Sequence, residues 1–407
     1  MPNRPARKRW CLRTGSLLLV IVACSDLLTT SPDPTDILDG PVDGLSPAER
    51  AAFVRGDAEF GRRFSPATGL GPLFNDAACA ECHSGDGRGR PENALARIGT
   101  PADGMLRLLG GPQIQDRAIP GAVPEPMPEG VAISLRLPPP VFGVGLIEAI
   151  PESGILARAD ADDADGDGIS GRPNWVVPPP WVPATEPGSG PGPRLGRFSR
   201  KAQVSSILQQ TTEAYLQDMG ITSDFLPVEN RNALTSHPHD AADMVPDPEI
   251  PASTVFAVVN YLRMLAPPGP GEMTPAREQG QLLFTTIGCA ACHTPVLHTG
   301  PSRIAALSNK PVSLYSDLLL HDMGDALADD RPDGDATGRE WRTTPLWGLR
   351  LLRVFLNGDA FLLHDGRART IEEAILLHGG EAQQSRDLFH NLAPADRAAL
   401  VDFVGSR

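Results

Sequence analysis

Two stretches of the chain combine a helical pattern with a strong start signal, and each leads into a pair of cysteines. The first, SPAERAAFVRGDAEF, offers Ser46 as N-cap and Glu49 to complete a capping box. The second, TPAREQGQLLF, places Thr274 in the same N-cap role, with proline at the first helical position. Apolar helical patterns follow later, at 253–265 and 394–404. The order of helix, cysteine pair and closing helix therefore occurs twice.

The beginning of the chain has the pattern of an export signal. Basic residues precede the apolar run LLLVIVA at 17–23, which is too short to cross a bilayer as a helix. The next residue is Cys24, and IVAC resembles the lipobox of bacterial lipoproteins, in which the cysteine carries the lipid. We predict a signal peptide over 1–23, a flexible tether over 24–44 and a membrane anchor through Cys24 on the periplasmic side of a bacterial membrane. A cleaved signal without a lipid is the alternative.

Composition and charge narrow the function. The formal net charge of −14 argues against a nucleic-acid partner, because such a chain cannot neutralise a phosphate backbone broadly. Glycine (41) and proline (42) are abundant while aromatic residues make up 5%, which is typical of long loops between short helices. Of the six cysteines, Cys11 lies in the signal and Cys24 is the candidate lipid site. The other four all lie in two short motifs, so none is left for a structural disulfide.

These four cysteines form two Cys-x-x-Cys-His motifs. They are Cys79, Cys82 and His83, and Cys289, Cys292 and His293. Two thiols at this spacing can each add to one vinyl group of a haem, and the histidine then supplies a ligand to the iron. A zinc site would need two further ligands per motif, and a redox dithiol would not need the adjacent histidine twice. The motifs therefore predict two covalently bound c-type haems, with both histidines as iron ligands.

The repeated order predicts the domain organisation. We expect a mostly α fold with two cytochrome c-like haem domains, at 45–270 and 271–407, joined by the proline-rich APPGPGE at 266–272. Long loops connect the helices. The segment 146–250 has no counterpart of similar length in the second half, and we expect it to be a loop-rich insertion.

Six longer segments of the chain carry a further signal. They are GLGPLFNDAACAECHSGDGRGRP, DADGDGISGRPN, GRFSRKAQVSSILQQTTEAYLQDMGITS, YSDLLLHDMG, WRTTPLWGLR and FLLHDGRARTIEEAILLHGGEA. These segments resemble the di-haem c-type oxidoreductases of the peroxidase type, some of which are labelled thiol oxidoreductases. The resemblance runs from about residue 45 to the C-terminus. It also implies distant similarity to the di-haem bacterial cytochrome c peroxidases and to the methylamine dehydrogenase maturation enzyme, in which one haem transfers electrons and the other meets peroxide.

An electron-transfer haem needs a sixth iron ligand, usually methionine or histidine. The segment HDMG offers His321 and Met323, and the resemblance implies that it lies near the C-terminal haem. We predict Met323 as the ligand, with His321 as the alternative; an ordinary loop histidine and a core methionine are the simpler interpretation. Where the bacterial peroxidases carry a ligand methionine, this chain has Glu340, which leaves the assignment open.

The first haem lacks an obvious sixth ligand. No histidine occurs between His83 and His237, although the bacterial peroxidases place one in that interval. We expect an open position at this iron, where an oxidant can bind, with water or a methionine (105, 127 or 219) as alternatives. A nearby carboxylate would help to move protons during peroxide cleavage. We predict Glu148 in this role, with Glu152 as a second candidate and a surface carboxylate as the simpler interpretation of either.

An acidic segment could bind calcium. In DADDADGDGISGRPN, Asp163, Asp165 and Asp167 occupy alternate positions and Gly168 permits a sharp turn, which suits one Ca²⁺ ion. An EF-hand would end in glutamate where this chain has Asn174, and a solvated acidic turn is the alternative. The resemblance implies that a further histidine, His364, lies near the second haem, and a structural role is the alternative. We expect surface or packing roles for His237, His239, His298, His378 and His390.

Together these features predict an exported, lipid-anchored di-haem oxidoreductase. We expect the C-terminal haem to accept electrons from a small cytochrome c or cupredoxin, and the N-terminal haem to pass them to an oxidant such as hydrogen peroxide. The residues themselves do not decide whether the protein is an enzyme or an electron carrier, and the resemblance favours an enzyme. The alternatives are a non-catalytic electron carrier and a maturation-type enzyme that oxidises a side chain of a partner protein.

Overall fold

Short helices joined by long loops dominate the structure. The computed structural model describes residues 37–99, 112–230 and 242–407. The helices are α1 (Pro47–Phe60), α2 (Cys79–Cys82), α3 (Val144–Ala149), α4 (Glu152–Leu156), α5 (Ile207–Met219), α6 (Ala252–Met264), α7 (Pro275–Thr286), α8 (Cys289–Cys292), α9 (Leu352–Phe355), α10 (Ile371–Leu376), α11 (Gln383–His390) and α12 (Pro394–Gly405).

Within the described residues, the strands are short and each pairs with one other strand. All five pairs are antiparallel: β1 with β3, β2 with β4, β5 with β6, β7 with β8, and β9 with β10. The strands are β1 (Leu73–Phe74), β2 (Leu95–Ile98), β3 (Arg117–Ala118), β4 (Ile133–Arg136), β5 (Trp175–Val176), β6 (Arg194–Leu195), β7 (Leu297–His298), β8 (Pro311–Val312), β9 (Leu320–Asp322) and β10 (Glu340–Arg342).

The two predicted helix starts are confirmed. The hydroxyl of Ser46 accepts a hydrogen bond from the backbone N–H of Glu49 at 3.3 Å, and the Glu49 carboxylate accepts one from the backbone N–H of Ser46 at 2.7 Å. This reciprocal pair is the capping box at the start of α1. The hydroxyl of Thr274 accepts from the backbone N–H of Arg277 at 3.3 Å and starts α7.

Each cysteine motif lies near a close crossing of two long helices. α1 packs on α6 at Gly56, where a Cβ atom would lie 2.3 Å from the carbonyl oxygen of Ala257. α7 packs on α12 at Gly280, where a Cβ atom would lie 2.1 Å from the carbonyl oxygen of Ala399. Only glycine lets two helix backbones approach this closely. The repeated order of the sequence is therefore matched by a repeated pair of helix crossings.

The largest apolar core contains residues from both predicted domains. Val255 and Val258 of α6 belong to the same buried cluster as Leu314 and Leu318. The described residues also belong to one compact unit. The boundary near residue 270 thus does not separate two independent cores, and the division into two cytochrome c-like domains stays a prediction.

The segment 146–250 contains a regular element that its loop-rich composition did not indicate. Ser206 caps the start of α5, and its hydroxyl accepts a hydrogen bond from the backbone N–H of Gln209 at 3.2 Å. Gly220 caps the end of the helix with a positive φ of 65°. Tyr215 and Met219 pack one face of α5 into the largest core. The helix therefore fixes part of the insertion against α6, and its other face borders the first of the two clefts described next.

Candidate haem sites

The first cysteine motif lies on the wall of a deep cleft. α2 is a single helical turn, and both of its cysteines and His83 line a cleft that encloses about 1320 Å³, its open mouth included. The ring of Phe60, the last residue of α1, lies 6.2 Å from the ring of His83. Much of the remaining wall is apolar, including Phe142, Val144, Ile147, Leu262 and Trp347.

The second motif repeats this arrangement. The cysteines of α8 and His293 line a cleft that encloses about 1420 Å³, again with its open mouth. The ring of Phe284, near the end of α7, lies 6.3 Å from the ring of His293. Nδ1 of His293 donates to the carbonyl oxygen of Tyr315 at 2.9 Å. This bond fixes the ring and leaves Nε2 as the nitrogen available to a metal.

Burial keeps both motif histidines neutral. It lowers the pKa of His83 to about 4, although backbone hydrogen bonding to Pro139 and Gly87 acts in the opposite direction. It lowers the pKa of His293 to about 4 as well, against the hydrogen bond to Tyr315. Desolvation disfavours the imidazolium form. A neutral imidazole is the form that ligates iron.

The surroundings of the thiols fit haem better than the two alternatives. A redox dithiol needs a lowered thiol pKa, whereas burial raises that of Cys289 to about 12 and raises that of Cys82 strongly. Among the described residues, no close cluster of three metal-ligating side chains includes a cysteine, so a zinc site lacks its further ligands. Two thiols and a neutral imidazole on the wall of a large, mainly apolar cleft suit a covalently held macrocycle.

Comparison with known proteins agrees with this chemistry. A family model described as "Di-haem oxidoreductase, putative peroxidase" matches residues 125–407, well over half of the chain. The chain belongs to this di-haem oxidoreductase family. The match begins after the first cysteine motif, so the role of that motif rests on its own residues and its cleft.

Among solved structures, one similar chain comes from hydrazine synthase of Kuenenia stuttgartiensis, pressurised with 20 bar xenon. It is 15% identical, with 99% of this chain and 100% of that chain covered and a TM-score of 0.39. No protein with a curated description matches the sequence.

Both predicted sixth ligands of this di-haem oxidoreductase border the second cleft, but they differ in their surroundings. His321 Nε2 lies 2.8 Å from a carboxylate oxygen of Asp317, and its Nδ1 lies 2.7 Å from one of Glu381. Although burial opposes it, hydrogen bonding to Asp317, Cys292 and Glu381 raises the pKa of His321 well above its usual range. An imidazole with both nitrogens hydrogen-bonded to carboxylates has no lone pair free for iron in this arrangement, and His321 stays the alternative prediction to Met323.

Met323 lines the second cleft together with His293, and its role as iron ligand stays a prediction. Glu340, which replaces the ligand methionine of the distant peroxidases, is buried and bonded to Arg172 at 2.9 Å. It therefore holds β10 in place. His364 also lines this cleft, as the resemblance implied, and its ring stacks on Trp341 with 3.5 Å between ring centroids.

One further histidine of the second cleft was missed by the sequence reasoning. His378 borders the cleft after α10, on the same face as Ala374 and Ile375. Nδ1 of His378 donates to the carbonyl oxygen of Ala374 at 2.7 Å, which leaves Nε2 without a proton, and burial lowers its pKa. Ala374 and His378 are four residues apart, a spacing that places two side chains on the same face of a helix. This spacing was the signal that the sequence offered.

The first cleft has a different character. Its described lining contains one histidine, His83. Met219 also borders it but is 3% exposed and packs in the largest core. Met127 is 50% exposed and is not in the described lining. The sixth position of the first iron thus has no histidine candidate within the described wall.

Glu148, the predicted acid–base residue, is engaged elsewhere. Its carboxylate accepts hydrogen bonds from Arg263 Nε at 2.6 Å and Arg263 Nη2 at 3.1 Å. Arg263 also pairs with Glu186 at 2.6 Å. Glu148 is absent from the described lining of the first cleft, and so is Glu152. The ion pair gives Glu148 a structural role, while the predicted role in proton transfer remains untested.

The acidic segment forms a loop in which the predicted carboxylates converge only in part. Asp163 and Asp165 lie within reach of a common ion together with Asp160, and Asp167 is not part of this group. Asp167 instead accepts from the backbone N–H of Ile169 at 2.8 Å. Asp163 accepts from Gly168 in the same way at 3.0 Å. Calcium binding at Asp163, Asp165 and Asp167 stays a prediction.

Some predicted features lie outside the described residues. They are the signal peptide 1–23, Cys24 with most of the tether, Met105, His237 and His239. Where the structure describes the chain, none of its helices combines the length and apolar character needed to cross a membrane.

Proposed function

We propose that this chain is an exported c-type di-haem oxidoreductase that transfers electrons from a small donor protein to hydrogen peroxide. The two Cys-x-x-Cys-His motifs would hold the haems covalently, with His83 and His293 as iron ligands. Haem supplies one-electron redox chemistry and an iron that binds oxygen-containing oxidants. Membership of the di-haem family supports the cofactor, and the neutral, buried state of both histidines supports their role.

The proposal rests above all on one segment that borders both clefts. Arg342, Thr344 and Pro345 line the first cleft and also line the second. Their neighbour Trp347 faces the first cleft, and Leu346 faces the second. Haems bound in two clefts that share these wall residues would lie near each other, as electron transfer between them requires. This arrangement supports transfer from one haem to the other within the molecule.

The first cleft is the better candidate for the oxidant. Its described lining holds one histidine, while the second cleft offers Met323, His364 and His378 besides its motif histidine. A haem with a sixth protein ligand excludes substrates, whereas one with an open position admits them. Reduction of hydrogen peroxide breaks its O–O bond, consumes two electrons and two protons, and yields two water molecules. Each one-electron donor, a small cytochrome c or a cupredoxin, would supply one of these electrons.

Optical and EPR spectra of the purified holo-protein test the proposal. The haem content is measured first, the haem of higher potential is then selectively reduced, and stoichiometric peroxide is added. We expect two haems per chain and a high-spin signal that disappears as peroxide is consumed while both haems become oxidised. Two low-spin haems that do not react would refute the peroxidase and leave an electron carrier.

Variants of the motif histidines provide the internal control. His83→Gly is expected to abolish the reaction with peroxide, whereas His298→Gly, which changes an exposed histidine of β7, is expected to leave it unchanged. Export and lipid attachment are tested separately. We expect radiolabelled palmitate to be incorporated into the full chain and not into Cys24→Ser.

A further inference from the structure

Three buried arginines line the second cleft, and none of them forms an ion pair with a carboxylate of the described residues. Arg88, Arg200 and Arg342 are 5%, 4% and 8% exposed, and all three border this cleft. Each has a buried nitrogen that makes no hydrogen bond to the described residues: Nε of Arg88, Nη1 of Arg200 and Nη1 of Arg342.

Their remaining hydrogen bonds go to neutral backbone atoms. Arg88 Nη2 donates to the carbonyl oxygen of Leu363. Arg200 donates to the carbonyl oxygen of Leu137 from Nε at 3.1 Å and from Nη2 at 2.9 Å. Arg342 Nε donates to the carbonyl oxygen of Ser199 at 3.0 Å. Carbonyl groups orient these side chains but do not neutralise their charge.

The charge of this group is high for a buried site. Burial lowers the pKa of Arg88 and of Arg342 to about 10, and it lowers that of Arg200 well below its usual range. The positive charges of its neighbours Arg88 and Arg342 lower the pKa of Arg200 further. The charge of Asp365 acts in the opposite direction on the pKa of Arg88 and Arg200, and that of Asp317 does so on Arg342. Neither carboxylate forms an ion pair with these arginines within the described residues, and a buried guanidinium without a paired partner is costly.

A neighbouring group of buried arginines differs from these three because its members form ion pairs with carboxylates of the protein. Arg136 pairs with Asp329 at 3.1 Å and with Asp333 at 2.6 Å, and Arg331 also pairs with Asp333. There the compensating carboxylates come from the protein itself. In the second cleft no carboxylate of the described residues is paired with the three arginines, which leaves them available to an anionic occupant of the cleft.

We propose that Arg88, Arg200 and Arg342 bind the carboxylate side chains of the haem in the second cleft. Haem carries two propionate groups, and a guanidinium group binds a carboxylate through paired hydrogen bonds. The inference rests on the proposed attachment of haem to Cys289 and Cys292. It adds the residues that fix the opposite, anionic edge of that haem.

The origin of the three arginines links the two haem sites. Arg88 follows His83 by five residues, so the loop of the first motif supplies a cation to the second cleft. Arg342 borders both clefts. Positive charge near a haem favours the reduced state, which carries one more electron. Removal of one arginine should therefore lower the reduction potential of the second haem.

Potentiometric titration of haem-loaded variants tests the inference. The variants are Arg88→Gln, Arg200→Gln and Arg342→Gln, each paired with its lysine counterpart, and Arg277→Gln serves as the control. Arg277 lies on α7, pairs with Asp402 at 3.0 Å and is absent from the described lining of both clefts. We expect each glutamine variant to shift the redox equilibrium of the second haem about tenfold toward the oxidised form, or about 59 mV. Lysine should restore part of the shift, and the control should show none.

The outcomes separate this inference from the proposed function. Wild-type protein without haem would refute the proposed function itself. Haem-loaded glutamine variants with potentials equal to that of the control would overturn the arginine assignment alone. If the glutamine variants fail to load the second haem, loading of the lysine variants supports the assignment, and equal failure of both overturns it in favour of packing. A wild-type potential that shifts on addition of succinate would assign the arginines to a soluble carboxylate instead.

Discussion

Substitution of Gly280 by alanine should separate the two helices that carry the second haem site. The new Cβ atom would lie 2.1 Å from the carbonyl oxygen of Ala399 and 2.7 Å from Cβ of Phe403. Neither atom can rotate away, so α7 and α12 must move apart. Overpacking costs about 3 kcal/mol at the upper end of its usual range. The higher helix propensity of alanine offsets about 1 kcal/mol of this cost. The free energy of unfolding should therefore fall by about 2 kcal/mol.

Urea denaturation of the holo-protein, followed by far-UV circular dichroism and haem absorbance, measures this loss. With an m-value of about 3 kcal/mol/M or more, the midpoint should fall by roughly 0.5 M. Gly61→Ala is the matched control, because its Cβ atom would meet only the carbonyl oxygen of Asp57, at 3.6 Å. We expect the control to stay within about 0.5 kcal/mol of wild type. An unchanged or raised midpoint for Gly280→Ala would refute the close helix crossing.

Three further predictions concern Met323, Glu148 and Asp218. If Met323 is the sixth ligand of the second haem, Met323→Ala converts that haem from low to high spin in EPR spectra and His378→Ala does not; the reverse result assigns the ligand to His378. Glu148→Gln is expected to lower the free energy of unfolding by about 1–3 kcal/mol, since Arg263 loses a buried charged partner, with little effect on peroxide consumption. A loss of activity of a hundredfold or more at unchanged stability would instead support the acid–base role of Glu148. Burial raises the pKa of Asp218, on the wall of the first cleft, to about 6 from about 3.9 in the unfolded chain. The folded state then binds more protons between these two values, so wild type loses stability as the pH rises through them, and Asp218→Asn should gain stability relative to wild type over that range in urea titrations. A pH-independent difference between the two proteins would contradict this assignment.

The elements that the sequence predicted well are those specified by neighbouring residues. The capping signals at Ser46 and Thr274 depend on atoms three residues away, and both helices begin where they predict. The closing helices were predicted at 253–265 and 394–404, and they run over Ala252–Met264 and Pro394–Gly405. The two cysteine motifs are equally local, and each forms one helical turn on the wall of a cleft.

The features that escaped prediction depend on contacts between distant parts of the chain. His321 carries the same motif signal as Met323, but its two carboxylate partners lie four and sixty residues away. Glu148 followed the proline segment expected near the first haem, yet its charge is paired with Arg263, 115 residues further on. Arg88 and Arg200 stand in polar, glycine-containing segments that are typical of surface loops. Only the folded chain brings them into the second cleft.

The difference between the two clefts supports the proposed direction of electron flow. Both clefts are built in the same way. Each lies near two helices that cross at a glycine, has a phenylalanine ring about 6 Å from the ring of the motif histidine, and carries its cysteines on one helical turn. The second adds further candidate ligands and is bordered by Arg88, Arg200 and Arg342, which together favour a six-coordinate haem that is easily reduced. The first has no further histidine in its described lining, and of these three arginines only Arg342 borders it, besides Arg197. In the proposed reaction, a haem that holds an electron stably would lie beside one with an open position. The oxidant would then bind to an iron next to its source of electrons.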